Sequence, residues 1–307
     1  MKFIKYKATD FVGVATLKVD GKVVTGPKLK AEALNNHFQT VSTREFEFNP
    51  APLQSHQLPP MEPVIIITAS GVFKLLRNIN PGKAPGPDNL SPRVFKELVD
   101  VIADPLTRIF RVSLANGQIA EAWKRANVTP IFKKGQKHMC ANYRPISLTC
   151  IACKLMEHVI CSAVMNHANQ YNILYPLQHG FRARRSCETQ LIDMINNIVS
   201  NKQQGLQTDL CVLDFSKAFD KVGHKLKWYG VDGEVNSWIR EFLSGRSQSV
   251  VVDGASSRSV PVISGVPQGS ILGPCLFLIY INDITLGLKS TVRLFCRWHN
   301  DLLGSKM

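Results

Sequence analysis

Asp214 is the residue whose surroundings point most directly to chemistry. It interrupts an apolar run, Cys211 to Phe215 (CVLDF), that reads as a short strand. A carboxylate in an otherwise buried strand needs a partner, because an unpaired charge there is costly. A bound divalent cation would supply one. Nearby Asp220 serves equally well as the cap of the turn that follows. A second set of groups is basic: Lys124, Arg125, Lys133, Lys134, Lys137 and Arg144 stand between residues 121 and 144 against the single acid Glu121. VTPIF followed by KKGQK reads as a strand and a turn, which puts these charges at a hairpin tip able to reach a phosphate. A solvated loop accounts for the same run equally well. FRARRS (181–186) is a second basic patch at the start of a helix running to Val199. Third, SGVPQGSILGP sets glycines and prolines around Gln268 ahead of a helical CLFLIYINDI. Such a turn lets a backbone approach a ligand closely, and it also makes an ordinary strand-to-helix connection.

The elements that must position these groups are legible in part. Leu17 to Val24, with Asp20-Gly21 as its turn, reads as strand-like, and Lys28 to Thr40 as helical. Residues 49–63 carry five prolines and read as an extended linker, placing a boundary near residue 60. Ala69 to Arg77 is helical by pattern. The Gly/Pro loop 80–92 ends at Ser91 and Pro92, which cap and start a helix through Ile102 with an apolar face of Val94, Phe95, Leu98, Val99 and Ile102. Gln248 to Asp253 and Arg258 to Ile263 form a hairpin about Asp253-Gly254.

Composition narrows the partner class. The chain has 307 residues, 37 Lys and Arg against 23 Asp and Glu, a formal charge of +14, and 45% apolar residues. That is enough apolar surface for a core, and the excess of positive charge points to polyanions, nucleic acid first. The N-terminus has no apolar stretch of signal-peptide length, and no run approaches the ~20 apolar residues of a membrane span. A nuclear or cytoplasmic protein, not secreted and without a membrane role, is expected. Eight scattered cysteines fit reduced thiols. Cys150 and Cys153 form a lone CxxC without a second ligand pair, so packing is favoured over zinc.

In their order along the chain, APGPDNLSP, WKRANVTPIFKKG, NYRPISL, HGFRARRS with Gln190-Leu191 downstream, LDFSKAFDKV and SGVPQGSILGPCLFLIYINDI resemble the reverse transcriptase domain of non-LTR (LINE-type) retrotransposons of the Jockey and CR1-like group. The resemblance covers about residues 70 to 295, and LKVDGKVVTGPKLKAEALNNHF resembles the connector that precedes that domain. It implies an α+β fold, the fingers and incomplete palm of a right-hand polymerase: a connector over 1–60, fingers over 61–204 and palm over 205–307. The implied reaction is attack of a primer 3′-hydroxyl on the α-phosphate of a deoxynucleoside triphosphate, templated by RNA. Two Mg²⁺ ions about 3.5–4 Å apart assist it. By matching positions, Asp214 is the first metal carboxylate and the Phe215 carbonyl a further oxygen ligand. Phe219 falls at the steric gate that selects deoxynucleotides. Lys133 and Arg144 fall at the triphosphate contacts, with Lys133 and Lys134 left as alternatives because the hairpin register is open. Gln268 falls beside the incoming nucleotide and template.

Two departures qualify this. GHKLKWYG after LDFSKAFDKV is shorter than the family pattern, and where the family reads FADD this chain reads Phe295-Cys296-Arg297-Trp298. The expectation is therefore of an incomplete palm without a thumb and without polymerising activity, and the alternative is a non-catalytic nucleic-acid-binding remnant. If Cys296 to His299 are encoded TGC CGA TGG CAC, the frame one base on reads Ala-Asp-Gly, one base change from Ala-Asp-Asp. A one-base insertion, or a sequencing or gene-model error, immediately after Phe295 is the expected cause, with ordinary divergence or an exon end as the alternative.

Overall fold

The computed structural model describes residues 13–41, 58–61, 65–214 and 225–295. In chain order the elements are β1 (Leu17–Val19), β2 (Lys22–Val24), α1 (Pro27–Val41), α2 (Ala69–Arg77), α3 (Pro92–Glu97), α4 (Val99–Asn116), β3 (Arg125–Phe132), β4 (Tyr143–Leu148), α5 (Ile151–Gln170), α6 (Cys187–Gln203), α7 (Gly233–Leu243), β5 (Arg246–Val252), β6 (Ala255–Ser256), β7 (Val260–Val262) and α8 (Leu272–Ile281).

Local chemistry accounts for most of their ends. Asp20-Gly21 and Asp253-Gly254 take φ of 48° and 79°, and 47° and 80°, the paired left-handed residues of a tight hairpin turn whose twist suits the strands it joins. They close β1 on β2 and β5 on β6. Thr68 caps α2 by accepting the Gly71 N–H. Ser186 and Thr189 form a reciprocal capping box at the start of α6. The helix expected to run from Ser91 through Ile102 is instead two. It breaks at Leu98 (φ −96°, ψ 18°), and α4 carries on past Pro105 to Asn116, ended by left-handed Gly117. Val94 and Leu98 are exposed, and of the expected face Phe95 and Val99 are the buried members.

The strands form a mixed five-stranded sheet in the order β4-β3-β5-β6, with β7 also on β5. β3 runs antiparallel to β4 and parallel to β5. β6 and β7 share the other edge of β5, separated by residues 257–259, of which Ser257 accepts the Val250 N–H on its hydroxyl at 2.9 Å and so bridges the interruption. Val14, Leu17, Ala31, Leu34 and Phe38 share one core with Val128, Tyr143, Val250 and Val252, seating α1 on the sheet. A larger core joins α2, α4, α5, α7 and α8, with Phe110, Met156, Trp238 and Leu278 at its centre.

Candidate nucleotide and nucleic-acid interface

The β3–β4 hairpin carries the basic tip. Ile131 pairs with Arg144 and Thr129 with Ile146, and the Lys133 N–H donates to Asn142 O at 2.8 Å, extending the ladder by two residues. Side chains alternate along a strand, so Lys133 and Arg144 stand on one face with Thr129, Ile131 and Ile146. The opposite face, Val128, Pro130, Tyr143 and Ser147, is buried. Lys134 lies beyond the paired residues. Lys133 is exposed and Arg144 half-buried. The tip is braced by Lys18 N–H donating to His138 O (2.9 Å) and by Tyr143 Oη–H donating to Lys137 O (2.7 Å). Of the remaining expected charges, Lys124 is ion-paired with Glu241 and Lys137 lies over the Phe132 ring.

The Gln268 turn joins this hairpin along the free edge of β4. The Ser147 N–H donates to Gln268 O at 2.6 Å, and a Cβ on Gly269 would come within 2.8 Å of Ser147 O. Only glycine permits that approach at the φ of 113° found there. Ser147 is three residues from Arg144, roughly 10 Å along a strand. Behind the turn is a cleft of about 40 Å³ lined in part by Thr149, Arg246, Gln248 and Gln268. Ligand pockets usually run to hundreds of Å³, so a nucleotide would have to lie on the open face.

The expected strand at Cys211 to Phe215 is not there as far as it is described. Residues 206–214 carry no strand, and Val212 and Leu213 are 82% and 86% exposed. The burial premise for Asp214 fails with it: the carboxylate is exposed. The physical reason is that a strand's backbone needs a neighbour, and none of the described strands pairs with this segment. Phe215, Phe219, Asp220 and Asp301 lie outside the described residues. Among the described residues no group of three or more His, Cys, Asp or Glu is close enough to hold a metal ion. Asp214 alone does not fit a pair of divalent ions, which require several carboxylate oxygens.

The second basic patch is largely spent on the backbone. Arg182 donates to Tyr175 O at 3.2 Å and Arg185 to the carbonyl oxygens of Pro176 and Gln178, leaving Arg184 as its exposed member. Cys150 and Cys153 are both fully buried, the first donating to Ala122 O.

Two side chains that sequence reasoning passed over organise the Gln268 segment. Buried Arg246 donates to Leu243 O (3.1 Å), Ser264 O (3.3 Å) and Gly265 O (2.7 Å), fixing the entry to the loop. Glu157, on α5 and fully buried, accepts from the Ile271 and Leu272 N–H groups at its exit. An acid flanked by Leu155, Met156, Val159 and Ile160 was the available signal, since such a residue must find donors.

A family model described as reverse transcriptase (RNA-dependent DNA polymerase) matches residues 131–301. The chain is similar to the RNA-directed DNA polymerase from mobile element jockey of Drosophila melanogaster, 31% identical over 230 residues, which is 72% of this chain and 25% of the relative. It is similar to the probable RNA-directed DNA polymerase from transposon X-element of the same organism, 28% identical over 80% of this chain and 27% of the relative. It also resembles the retrovirus-related Pol polyprotein from type-1 retrotransposable element R2 of Popillia japonica, 26% identical over 68% of this chain and 29% of the relative. The chain thus spans less than a third of the length of these relatives. With the matched residues covering more than half of the chain and containing the Lys133 and Arg144 face, Glu157 and the Gln268 turn, the chain belongs to the reverse transcriptase (RNA-dependent DNA polymerase) family, in its non-LTR retrotransposon branch.

Proposed function

We propose that this chain is the fingers, over 61–204, and part of the palm, from 205 onward, of an RNA-directed DNA polymerase, and that its described surface holds an RNA template, a DNA primer and the triphosphate of a deoxynucleotide. The observation that carries this reading is the shared face of Lys133 and Arg144, with the Gln268 turn bonded to the same strand. Arg144 offers a planar, two-pronged donor suited to phosphate oxygens, and Lys133 a mobile point charge. Gln268, about 10 Å along the strand, would then lie by the base or sugar rather than the triphosphate tail. Phe215 and Phe219 are proposed for the metal-side carbonyl and the steric gate. The apolar face of α6 (Leu191, Ile192, Ile195 and Val199) and the exposed Leu206, Leu210, Val212 and Leu213 are proposed as the surface on which a complete palm sheet would pack.

A second reading is favoured by one observation, the exposed Asp214 standing without other metal-binding residues among those described. On it, the chain binds nucleic acid without polymerising. Titration of single-stranded RNA binding against salt tests what the two readings share. Log affinity should fall with log salt by about 0.7 per neutralised phosphate, and a Lys133, Lys134 and Arg144 triple alanine variant should lower the slope by up to about 2. Affinity flat in salt, or unchanged in the triple variant, sinks both. Primer extension on an RNA template then separates them.

A further inference from the structure

Glu157 sits in α5 with no exposed surface, among the buried side chains of Cys153, Leu155, Met156 and Ile160. Its Oε2 accepts the Ile271 N–H at 2.7 Å and the Leu272 N–H at 3.1 Å. These are donors that the start of α8 leaves without a partner inside the helix. α8 has no side-chain cap at its own N-cap residue, Ile271. Ser270 Oγ satisfies the next amide, Gly273 N–H, at 3.0 Å and donates to Pro267 O at 2.8 Å. The acceptor for the Ile271 and Leu272 amides therefore comes from another helix, 114 and 115 residues back in sequence. One continuous stretch of chain, β4 into α5, grips the turn twice: Ser147 through the Gln268 carbonyl and Glu157 through the amides just after it.

We propose that Glu157 is a positioning residue, which caps α8 from α5 and so fixes the Gln268 turn against the strand that carries Arg144. The proposal rests on the nucleotide-binding reading for what the turn and Arg144 do, whereas the tie between them stands on its own bonds.

Burial raises the Glu157 carboxyl to about 7, opposed by the Leu272 and Ile271 amides and the Lys154 ammonium. The groups around it are Cys153 and Lys154 on its own helix, Cys161 further along that helix and hydrogen-bonded to Cys275 of α8, and Lys83 in the loop after α2, which acts on Lys154. A carboxyl whose pKa is higher in the closed cap than in the open one holds the cap most firmly below the open-state value. The hold weakens as pH rises through about 7.

Hydrogen exchange of the full chain, corrected for the intrinsic pH dependence of amide exchange, tests this with Glu157→Ala and Glu157→Gln. In Glu157→Ala the 266–273 segment and the Ser147 amide are expected to lose protection by about ten-fold or more, the effect of leaving two helix-end amides without their acceptor, while α2 and α4 keep theirs. Glu157→Gln keeps an acceptor oxygen and should recover most of it. In the wild type, protection of 266–273 should fall from about pH 5 to about pH 8, and in Glu157→Gln it should stay level. Unchanged protection of 266–273 in Glu157→Ala, equal loss across α2 and α4, or the same pH profile in the wild type and Glu157→Gln overturns the proposal. If Glu157→Ala does not fold, Glu157→Met, which fills similar space without a carboxyl acceptor, takes its place, with the same loss expected and unchanged protection overturning the proposal. RNA affinity of the same proteins separates the two readings: no RNA binding with an intact Glu157 effect sinks the nucleic-acid reading only, and normal RNA binding without that effect sinks the tie only.

Discussion

The β4–α5–α8 region and the stretch from α6 to Asp214 are close in chain and opposite in character. In the first, polar backbone is matched across long sequence distances: Ser147 to Gln268, Glu157 to Ile271 and Leu272, Arg246 to Ser264 and Gly265. In the second, α6 has no buried residue at all, and the apolar chain that follows it lies open. The described residues thus complete the surroundings of Lys133, Arg144 and Gln268 and leave those of Asp214 incomplete. A basic face can be finished by one hairpin and one turn. A metal carboxylate on a strand needs neighbouring strands to bury and aim it.

The contrast is broken most severely from the core. Trp238 is fully buried, stacks on Phe242 at 5.5 Å between ring centroids, and donates to Ser113 Oγ at 3.0 Å. Trp238→Ala should cost about 3–5 kcal/mol in denaturant unfolding, and a loss under 1 kcal/mol would mean that this core is not formed. Glu157→Gln comes next. With the carboxyl raised from 4.5 to about 7 by burial, its stabilising contribution is complete below about pH 4.5 and is lost as pH rises through 7. The variant should therefore gain on the wild type between about pH 5 and 8, by up to about 3 kcal/mol. Equal pH dependence of unfolding in the two proteins would contradict the buried, amide-bonded carboxyl.

The other side of the contrast predicts small effects. Leu213→Ser, at an 86% exposed position, should change stability by no more than about 0.5 kcal/mol and reduce aggregation seen by light scattering. A clear destabilisation would show that the segment is packed in solution. Limited proteolysis with mass spectrometry should cut first within 204–214, ahead of any site in α5 or α8. The smallest effect, on the reading without polymerisation, is nil: primer extension with Mg²⁺ or Mn²⁺ should be the same for this chain and Asp214→Ala, and synthesis above the variant would place a working metal site around Asp214 and decide for the polymerising reading.

Much of the candidate site was legible because its signals are short-range. KKGQK after VTPIF told of a hairpin tip, Asp20-Gly21 and Asp253-Gly254 of tight turns, and the glycines around Gln268 of a close approach, each decided by residues within a few positions of one another. Glu157 stayed hidden for the opposite reason, since its partners lie on another element and the helix pattern around it reads simply as core. The two-helix break at Leu98 was missed because an apolar periodicity runs across it without showing that the backbone turns there.

The sequence by itself determined the family, the positive charge, and the strand and turn of the basic hairpin, because motif strings and local turn chemistry survive without knowledge of the fold. Only the tertiary structure decided that Lys133 shares the face of Arg144, that β5 joins β3 in parallel, that Glu157 caps α8, and that Asp214 is exposed and outside the described strands. Each of those depends on which backbone donors and acceptors meet across more than a hundred residues, or, for Lys133 and Asp214, on a pairing register or the lack of a neighbour among the described strands, and hydrogen bonds between such distant groups leave no local trace in the chain.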